Sequence, residues 1–196
     1  MKLNSILIIT VLVLAVLVSC GESGIPSSGT LTFSFEQDME GWTVNGTDLD
    51  NPPVEWSIER CEDIASDGKS AVRLYLNNMN DAGKIWIERP FDGEPNCTYQ
   101  VHVEYDFASA DWGDMNLWTI ITGVVPESAK MELVFQGDTG NNTEPKDGFV
   151  WLRKSYDFNV KSGPDGKLYA IIGVWGTWET ARTYYLDNIN ISFTAK

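Results

Sequence analysis

Two carboxylates near opposite ends of the chain have the residue type and the setting to bind a metal ion. Asp187 lies in the alternating stretch Tyr184–Phe193, where it shares the apolar face with Tyr185 and Ile189. A carboxylate on a core face is costly unless it is paired or bound to a metal. The best candidate for its partner is Glu36, which follows a short alternating strand near the start of the domain. We therefore expect Glu36 and Asp187 to lie together.

A polar loop supplies the remaining oxygen atoms that such a site needs. Residues 66–70 read Ser-Asp-Gly-Lys-Ser and come just before an apolar strand. Hard oxygen ligands from two side chains and several loop carbonyls describe a calcium site. The alternative is that Glu36 and Asp187 form only a salt bridge or local hydrogen bonds.

Three motifs in a fixed order resemble the jelly-roll carbohydrate-binding modules of the galactose-binding-like superfamily. They are Phe-Glu…Gly-Trp at 35–42, Asp-Gly-Lys-Ser at 67–70 and Tyr-Tyr-Leu-Asp-Asn-Ile at 184–189. The resemblance covers roughly residues 31–193. It implies pairing of the first and last strands, with a structural calcium where they meet the Asp-Gly loop. The ligands it implies are the side chains of Glu36 and Asp187, with backbone or hydroxyl oxygens from Asp38, Lys69 and Ser70.

The turn chemistry and the alternation predict an all-β fold, a two-sheet antiparallel jelly-roll β-sandwich. No window of a dozen residues holds a helical stripe. The predicted strands are 31–36, 54–59, 70–76, 84–89, 98–108, 116–124, 131–136, 149–158, 167–175 and 183–193.

Eight tryptophans give this chain an unusual supply of large aromatic side chains. Alternation places Trp86 and Trp151 opposite the aliphatic faces of their strands, and exposed aromatics on a sheet face usually mark binding. Sugars offer apolar C–H faces to indole rings and hydroxyls to polar groups. A sheet-face site would use Trp86, His102, Glu104, Trp151 and Arg153. A loop site would use Trp112, Trp118, Trp178, Glu179 and Arg182, and the two placements stay open.

The resemblance favours a non-catalytic module that binds a glycan, an oligo- or polysaccharide. One alternative is a structural or adhesive lipoprotein that binds a protein partner. A second is a small glycan-acting enzyme, in which Glu104 and Asp106 would converge with His102 or Arg153 in one cleft. A third is that the outward aromatics form a second small core. We expect no catalytic residues and a monomer.

The amino terminus has the pattern of a lipoprotein signal. Residues 6–18 are apolar apart from Thr10, which is too short for a membrane span and right for a signal-peptide core. Leu17-Val18-Ser19-Cys20 resembles the lipobox of bacterial lipoproteins, which implies cleavage before Cys20 and lipid on that residue. An ordinary secretory signal is the alternative. We expect a signal peptide at 1–19, a lipidated tether at 20–29 and a single domain at 30–196.

Charge and cysteine usage agree with a position outside the cytoplasm. The lipobox resemblance implies a membrane anchor there, with the outer membrane and the cell surface as the candidate locations. The net charge of −14 argues against binding to nucleic acid and against electrostatic docking to anionic lipids. The covalent lipid anchor alone would therefore attach the protein to the membrane. Besides Cys20, the chain has Cys61 and Cys97, an even pair in an oxidising compartment. We expect them to form a disulfide, with two free thiols as the alternative.

Overall fold

The computed structural model describes residues 24–25, 29–109, 118–128, 135–138, 148–176 and 181–196. Within these ranges the chain forms β-strands and no helix, so the all-β prediction is confirmed. Accordingly, none of the described segments is a helix with the length and apolarity to cross a bilayer. The strands are β1 (Thr30–Phe33), β2 (Thr43–Thr47), β3 (Glu55–Cys61), β4 (Ala71–Asn77), β5 (Lys84–Asp92), β6 (Thr98–Ser109), β7 (Trp118–Val125), β8 (Phe135–Asp138), β9 (Val150–Lys161), β10 (Lys167–Gly176) and β11 (Ala181–Ala195).

The strands form two antiparallel sheets that pack face to face, as the jelly-roll prediction requires. A six-stranded sheet has the order β3-β4-β11-β6-β9, with β1 also paired to β11. A five-stranded sheet has the order β2-β5-β10-β7-β8. The predicted pairing of the first and last strands is confirmed, because Phe33 lies opposite Ile189 in the β1–β11 ladder.

The core lies between the sheets and follows the alternation read from the sequence. The alternate residues of β6 from Tyr99 to Phe107 are all buried, and they face Ile85 and Ile87 of the other sheet across the core. Each large apolar side chain buried in this way contributes about 1.5–3 kcal/mol. The strand β2 was not predicted, since Thr-Val-Asn-Gly-Thr is short, mostly polar and contains a turn-type pair.

The last strand contains a β-bulge that the sequence interpretation missed. The register of β11 against β6 shifts between Asp187 and Asn190, and Asn188 has a positive φ of 49°. Tyr184 and Leu186 face the core before the bulge, whereas Ile189 is the first of the core residues after it. One inserted residue exchanges the two faces of a strand. The placement of Asp187 on the apolar core face was therefore wrong, and it points to the outer side of the six-stranded sheet.

The predicted disulfide between Cys61 and Cys97 is absent, and both thiols are free. Cys61 is level with Ala71 on the neighbouring strand, and the ladder continues across β11 to Asp106. Cys97 precedes the first residue of β6, nine positions from Asp106, or roughly 30 Å along the strand. A disulfide needs Cα atoms within about 7 Å, so the two cysteines lie at opposite ends of the sandwich.

A short segment near the amino terminus docks onto the body of the domain. Gly24 forms a parallel bridge with Asp92 at the end of β5. The Ile25 amide donates to the Asp92 carbonyl at 2.7 Å, and the Ile25 side chain packs against the core. The domain therefore has a fixed point of entry for the chain at this end of the sandwich.

Candidate functional site

The outer face of the six-stranded sheet brings most of the predicted sheet-face residues together. Strands β6 and β9 run side by side, and their ladder places His102 opposite Asp157, and Asp106 opposite Arg153. Glu104 lies between these pairs and faces Ser155. We call these six side chains the polar row.

The charged members of the polar row are bonded to one another. Arg153 donates from Nη2 to Glu104 Oε1 at 2.6 Å and from Nη1 to Asp106 Oδ1 at 3.0 Å. Burial works to lower the pKa of Arg153, but the bonds to these two carboxylates hold that pKa above its ordinary value. His102 Nδ1 lies 2.9 Å from Asp157 Oδ1. Glu104 and Asp106 thus converge on the permanent cation of Arg153, as the alternative of an enzyme expected, and the three side chains form an ion-pair network.

Aromatic side chains continue this face beyond the polar row. Tyr185, Ala108 and Trp151 lie side by side on three neighbouring strands. The Phe149 ring packs edge-on against the Tyr185 ring, with 5.0 Å between centroids. Trp151 and Phe149 are partly exposed, whereas Tyr185 is buried at 5% exposure. The small side chain of Ala108 lies between Tyr185 and Trp151. We call Tyr185, Phe149 and Trp151 the aromatic row.

Sequence reasoning missed Tyr185 because it assigned this residue to the core. The signal was present in the order of apolar residues, since Tyr184 and Leu186 alternate in one phase and Ile189 onward in the other. A change of phase within one strand indicates a bulge.

Trp86 does not belong to this face. It lies on β5 in the other sheet and is 0% exposed, so the expectation of an exposed Trp86 was wrong. It packs with Ile121 and Ile171 in a separate apolar cluster, as the alternative of a second small core anticipated. Its Nε1 donates to Glu88 Oε2 at 3.0 Å, which satisfies the buried indole N–H.

The predicted loop site falls mostly outside the described residues. Trp112, Trp178 and Glu179 lie in undescribed ranges, and only the backbone of Trp118 is described. Arg182 is 8% exposed, and burial lowers the pKa of its guanidinium to about 10.

The predicted meeting of Glu36 and Asp187 with the 66–70 loop is present, but its chemistry differs from the one expected. Glu36 Oε1 accepts from the amides of Lys69 and Ser70 at 2.9 and 3.0 Å. Asp187 Oδ2 accepts from the amides of Ser66 and Asp67 at 2.8 and 2.9 Å. We call these two carboxylates and the loop the carboxylate clasp.

The carboxylate clasp is closely fitted. A Cβ at Gly68 would lie 2.3 Å from Glu36 Oε1, and the φ of Gly68 is +65°, so only glycine suits this position. The amides of Lys69 and Ser70 lower the pKa of Glu36, whereas burial raises that of Asp187.

These contacts do not fit the calcium site that the resemblance implies. Calcium needs six to eight oxygen atoms aimed at one centre. Here Lys69 and Ser70 present N–H groups instead, and Asp38 Oδ1 accepts from the amide of Glu40 at 2.6 Å within its own turn. Among the residues that the structure describes, no group of three or more His, Cys, Asp or Glu side chains could hold a metal ion. The calcium that the resemblance implies enters no step of the function proposed below.

Chelation tests the clasp directly. Because N–H donors already satisfy both carboxylates, we expect EDTA to leave the melting temperature of the full chain within about 2 °C of its value in calcium. Thermal unfolding followed by circular dichroism measures this. A magnesium-containing sample controls for ionic effects, and a fall of more than about 5 °C specific to calcium removal would restore the metal site.

Solved structures of similar fold place this architecture among known proteins. The K1 cleaved adhesin domain of Lys-gingipain from Porphyromonas gingivalis W83 is 12% identical, with 84% of this chain and 98% of that chain covered and a TM-score of 0.52. The CBM22-1-CBM22-2 tandem domain of Xyn10C from Paenibacillus barcinonensis is 14% identical, with 88% and 49% covered and a TM-score of 0.50. The resemblance to carbohydrate-binding modules is thus confirmed for the fold. No protein-family model and no curated protein matches the chain.

Proposed function

We propose that this protein is a non-catalytic carbohydrate-binding module that holds its glycan on the outer face of the six-stranded sheet. The observation that carries the proposal is the aromatic row beside the polar row. Trp151 lies two strands from Tyr185 with only Ala108 between them, and Arg153 follows two residues after Trp151 on the same side of β9. The fold shared with the CBM22 tandem domain supports the same class of ligand.

The chemistry of the face suits a neutral polyhydroxyl chain. The partly exposed rings of Trp151 and Phe149 can stack on the C–H faces of sugars. The charged side chains of the polar row can form hydrogen bonds with sugar hydroxyls. Glu104 and Asp106 share the single positive charge of Arg153 and keep lone pairs that can accept hydrogen bonds from sugar hydroxyls. Because the ion pairs hold Glu104 and Arg153 in place, little side-chain entropy is lost when a ligand binds.

The membrane location belongs to the same proposal. Lipid on Cys20 would anchor the module outside the cytoplasm, and the acidic chain would have no other attraction to the bilayer.

A glycan-array screen of the full chain followed by calorimetry tests the proposal. We expect at least one plant, microbial or host glycan to bind, and Trp151→Ala to weaken it about tenfold, the effect of losing a stacked ring worth about 1.4 kcal/mol. Tyr169→Ala, on the outer face of the other sheet, is the matched control and should leave the affinity within about twofold. Equal loss in both variants, or loss in the control alone, would contradict the sheet-face site.

A second candidate function is adhesion to a protein. It is favoured by the adhesin domains K1 and K2 of Lys-gingipain, which have TM-scores of 0.52 and 0.50 to this chain. A blank glycan array would favour this function, and the aromatic row would then be the surface to test against protein partners.

A further inference from the structure

A cavity lies where two loops meet at one end of the sandwich, apart from the aromatic and polar rows. Its volume is about 330 Å³, and it is formed by the loop between β2 and β3 and the loop between β4 and β5. Its lining residues are Asp48, Leu49, Asp50, Asn51, Asn80 and Ala82. This volume is at the lower end of the range for small-molecule sites.

The walls of the cavity are held in place by one side chain that crosses between the loops. Asn80 Nδ2 donates to the carbonyls of Asp48 and Pro52 at 2.8 and 3.2 Å. Asn80 Oδ1 accepts from the amides of Ala82 and Gly83, both at 3.0 Å. Every hydrogen-bonding position of Asn80 is thus used for structure, and the cavity is preformed.

A tryptophan fixes the loop between β4 and β5 from the side opposite the cavity. Trp175 Nε1 donates to the Asp81 carbonyl at 2.9 Å, between the two lining residues of that loop. The Lys84 ammonium lies 5.1 Å from the centre of the Trp175 ring and 2.8 Å from Asp48 Oδ2. These contacts connect both loops to the five-stranded sheet.

The same contacts argue against a cation as the occupant. The Asp48 carboxylate is paired with Lys84, and Asn80 uses its oxygen to accept from two amides. Asp50 and Asn51 are then the lining residues with unengaged side-chain oxygen atoms, which is fewer than the six to eight oxygen ligands that calcium takes.

The lining groups that are not engaged in these contacts suit the end of a neutral sugar chain. Within the described part of the chain, the side chains of Asp50 and Asn51 make no hydrogen bond, and both residues are exposed. They supply acceptors and one donor pair, and the partly buried Leu49 supplies an apolar surface for a C–H face. We propose that this cavity is a second ligand site that takes the terminal ring of a neutral saccharide, with Asp50 and Asn51 as the groups that bind its hydroxyls.

The test is an amide-resolved NMR titration of the ¹⁵N-labelled full chain. The probes are D-glucose, D-galactose, D-mannose, D-xylose, L-arabinose and N-acetyl-D-glucosamine, each added alone. We expect at least one to give saturable shifts at residues 48–51 and 80–82. In the double variant Asp50→Ala/Asn51→Ala, the affinity measured from these shifts should fall at least tenfold. The rest of its spectrum should be retained.

Trp151→Ala is the matched control, because it alters the sheet face and leaves the cavity untouched. Shifts at the cavity that persist in Trp151→Ala support the second site even if the sheet face binds nothing. The proposal is overturned if no probe shifts the cavity amides, if the shifts survive in the double variant, or if calcium chloride alone produces them.

Discussion

Replacing Asp187 by alanine is expected to lower the free energy of unfolding by about 3 kcal/mol. The Asp187 side chain is 0% exposed and accepts from the amides of Ser66, Asp67 and Asn188. Removing a buried acceptor leaves each of its donors unsatisfied, at a cost of about 1–3 kcal/mol per donor. Hydrogen bonds from those donors to water offset part of this cost. Two of these donors belong to a loop that can move out to solvent, which is why the expected loss is below the sum. Urea unfolding of the full chain, with and without calcium, measures the change.

The control is Asp157→Ala, which removes a carboxylate of the same type from the surface. The Asp157 side chain is 69% exposed and contacts His102, so its loss should change stability by no more than about 1 kcal/mol. Similar losses in both variants would mean that the clasp does not stabilise the fold. A loss at Asp187 that appears only with calcium present would mean that the carboxylate acts through a metal.

A methyl group at Gly173 is expected to cost more than about 3 kcal/mol. Gly173 lies on β10 opposite Trp86, and a Cβ there would lie 2.1 Å from the Ile85 carbonyl oxygen and 2.5 Å from Trp86 Cα. Both are backbone atoms of the neighbouring strand, so the clash is relieved only by separating two paired strands. The separation would also disturb the cluster of Trp86, Ile121 and Ile171.

Gly24→Ala is the matched control, because an added Cβ there meets its nearest atom at 3.7 Å, an ordinary contact. Urea unfolding and the yield of folded full chain measure both variants. If Gly173→Ala unfolds at the same urea concentration as the control, then the close approach of β5 and β10 is not required.

Alternation predicted most of the fold, since burial of every second residue is a local property of a strand. The inward face of β6 is as alternation predicted. The meeting of the first and last strands with the Asp-Gly loop came from the resemblance to carbohydrate-binding modules, and it is also present. The wrong predictions are those in which an inserted residue or a residue distant in sequence decides the direction or the position of a side chain. The bulge at Asn188 moved Tyr185 outward, and the ladder separated Cys61 from Cys97 along the strands.

The same reasoning explains the division of the predicted sheet-face site. Alternation correctly set Trp86, Glu104 and Trp151 on outer faces, but it carries no information on which sheet a strand joins. Strand order assigned Trp86 to the five-stranded sheet and Trp151 to the six-stranded sheet. Pairing between strands distant in sequence depends on the whole topology, which a local pattern does not encode.

The docking of Gly24 and Ile25 has a consequence for how the molecule would stand on a membrane. In a chain lipidated at Cys20, four residues would reach from the lipid to Gly24, a span of at most roughly 14 Å. The end of the sandwich that carries Asp92 would then rest near the headgroups. Strand β6 runs from this end to the other over 12 residues, or about 36 Å. The aromatic row and the two-loop cavity lie toward the opposite end of the sandwich. In the lipidated chain both would therefore lie on the side that faces away from the membrane.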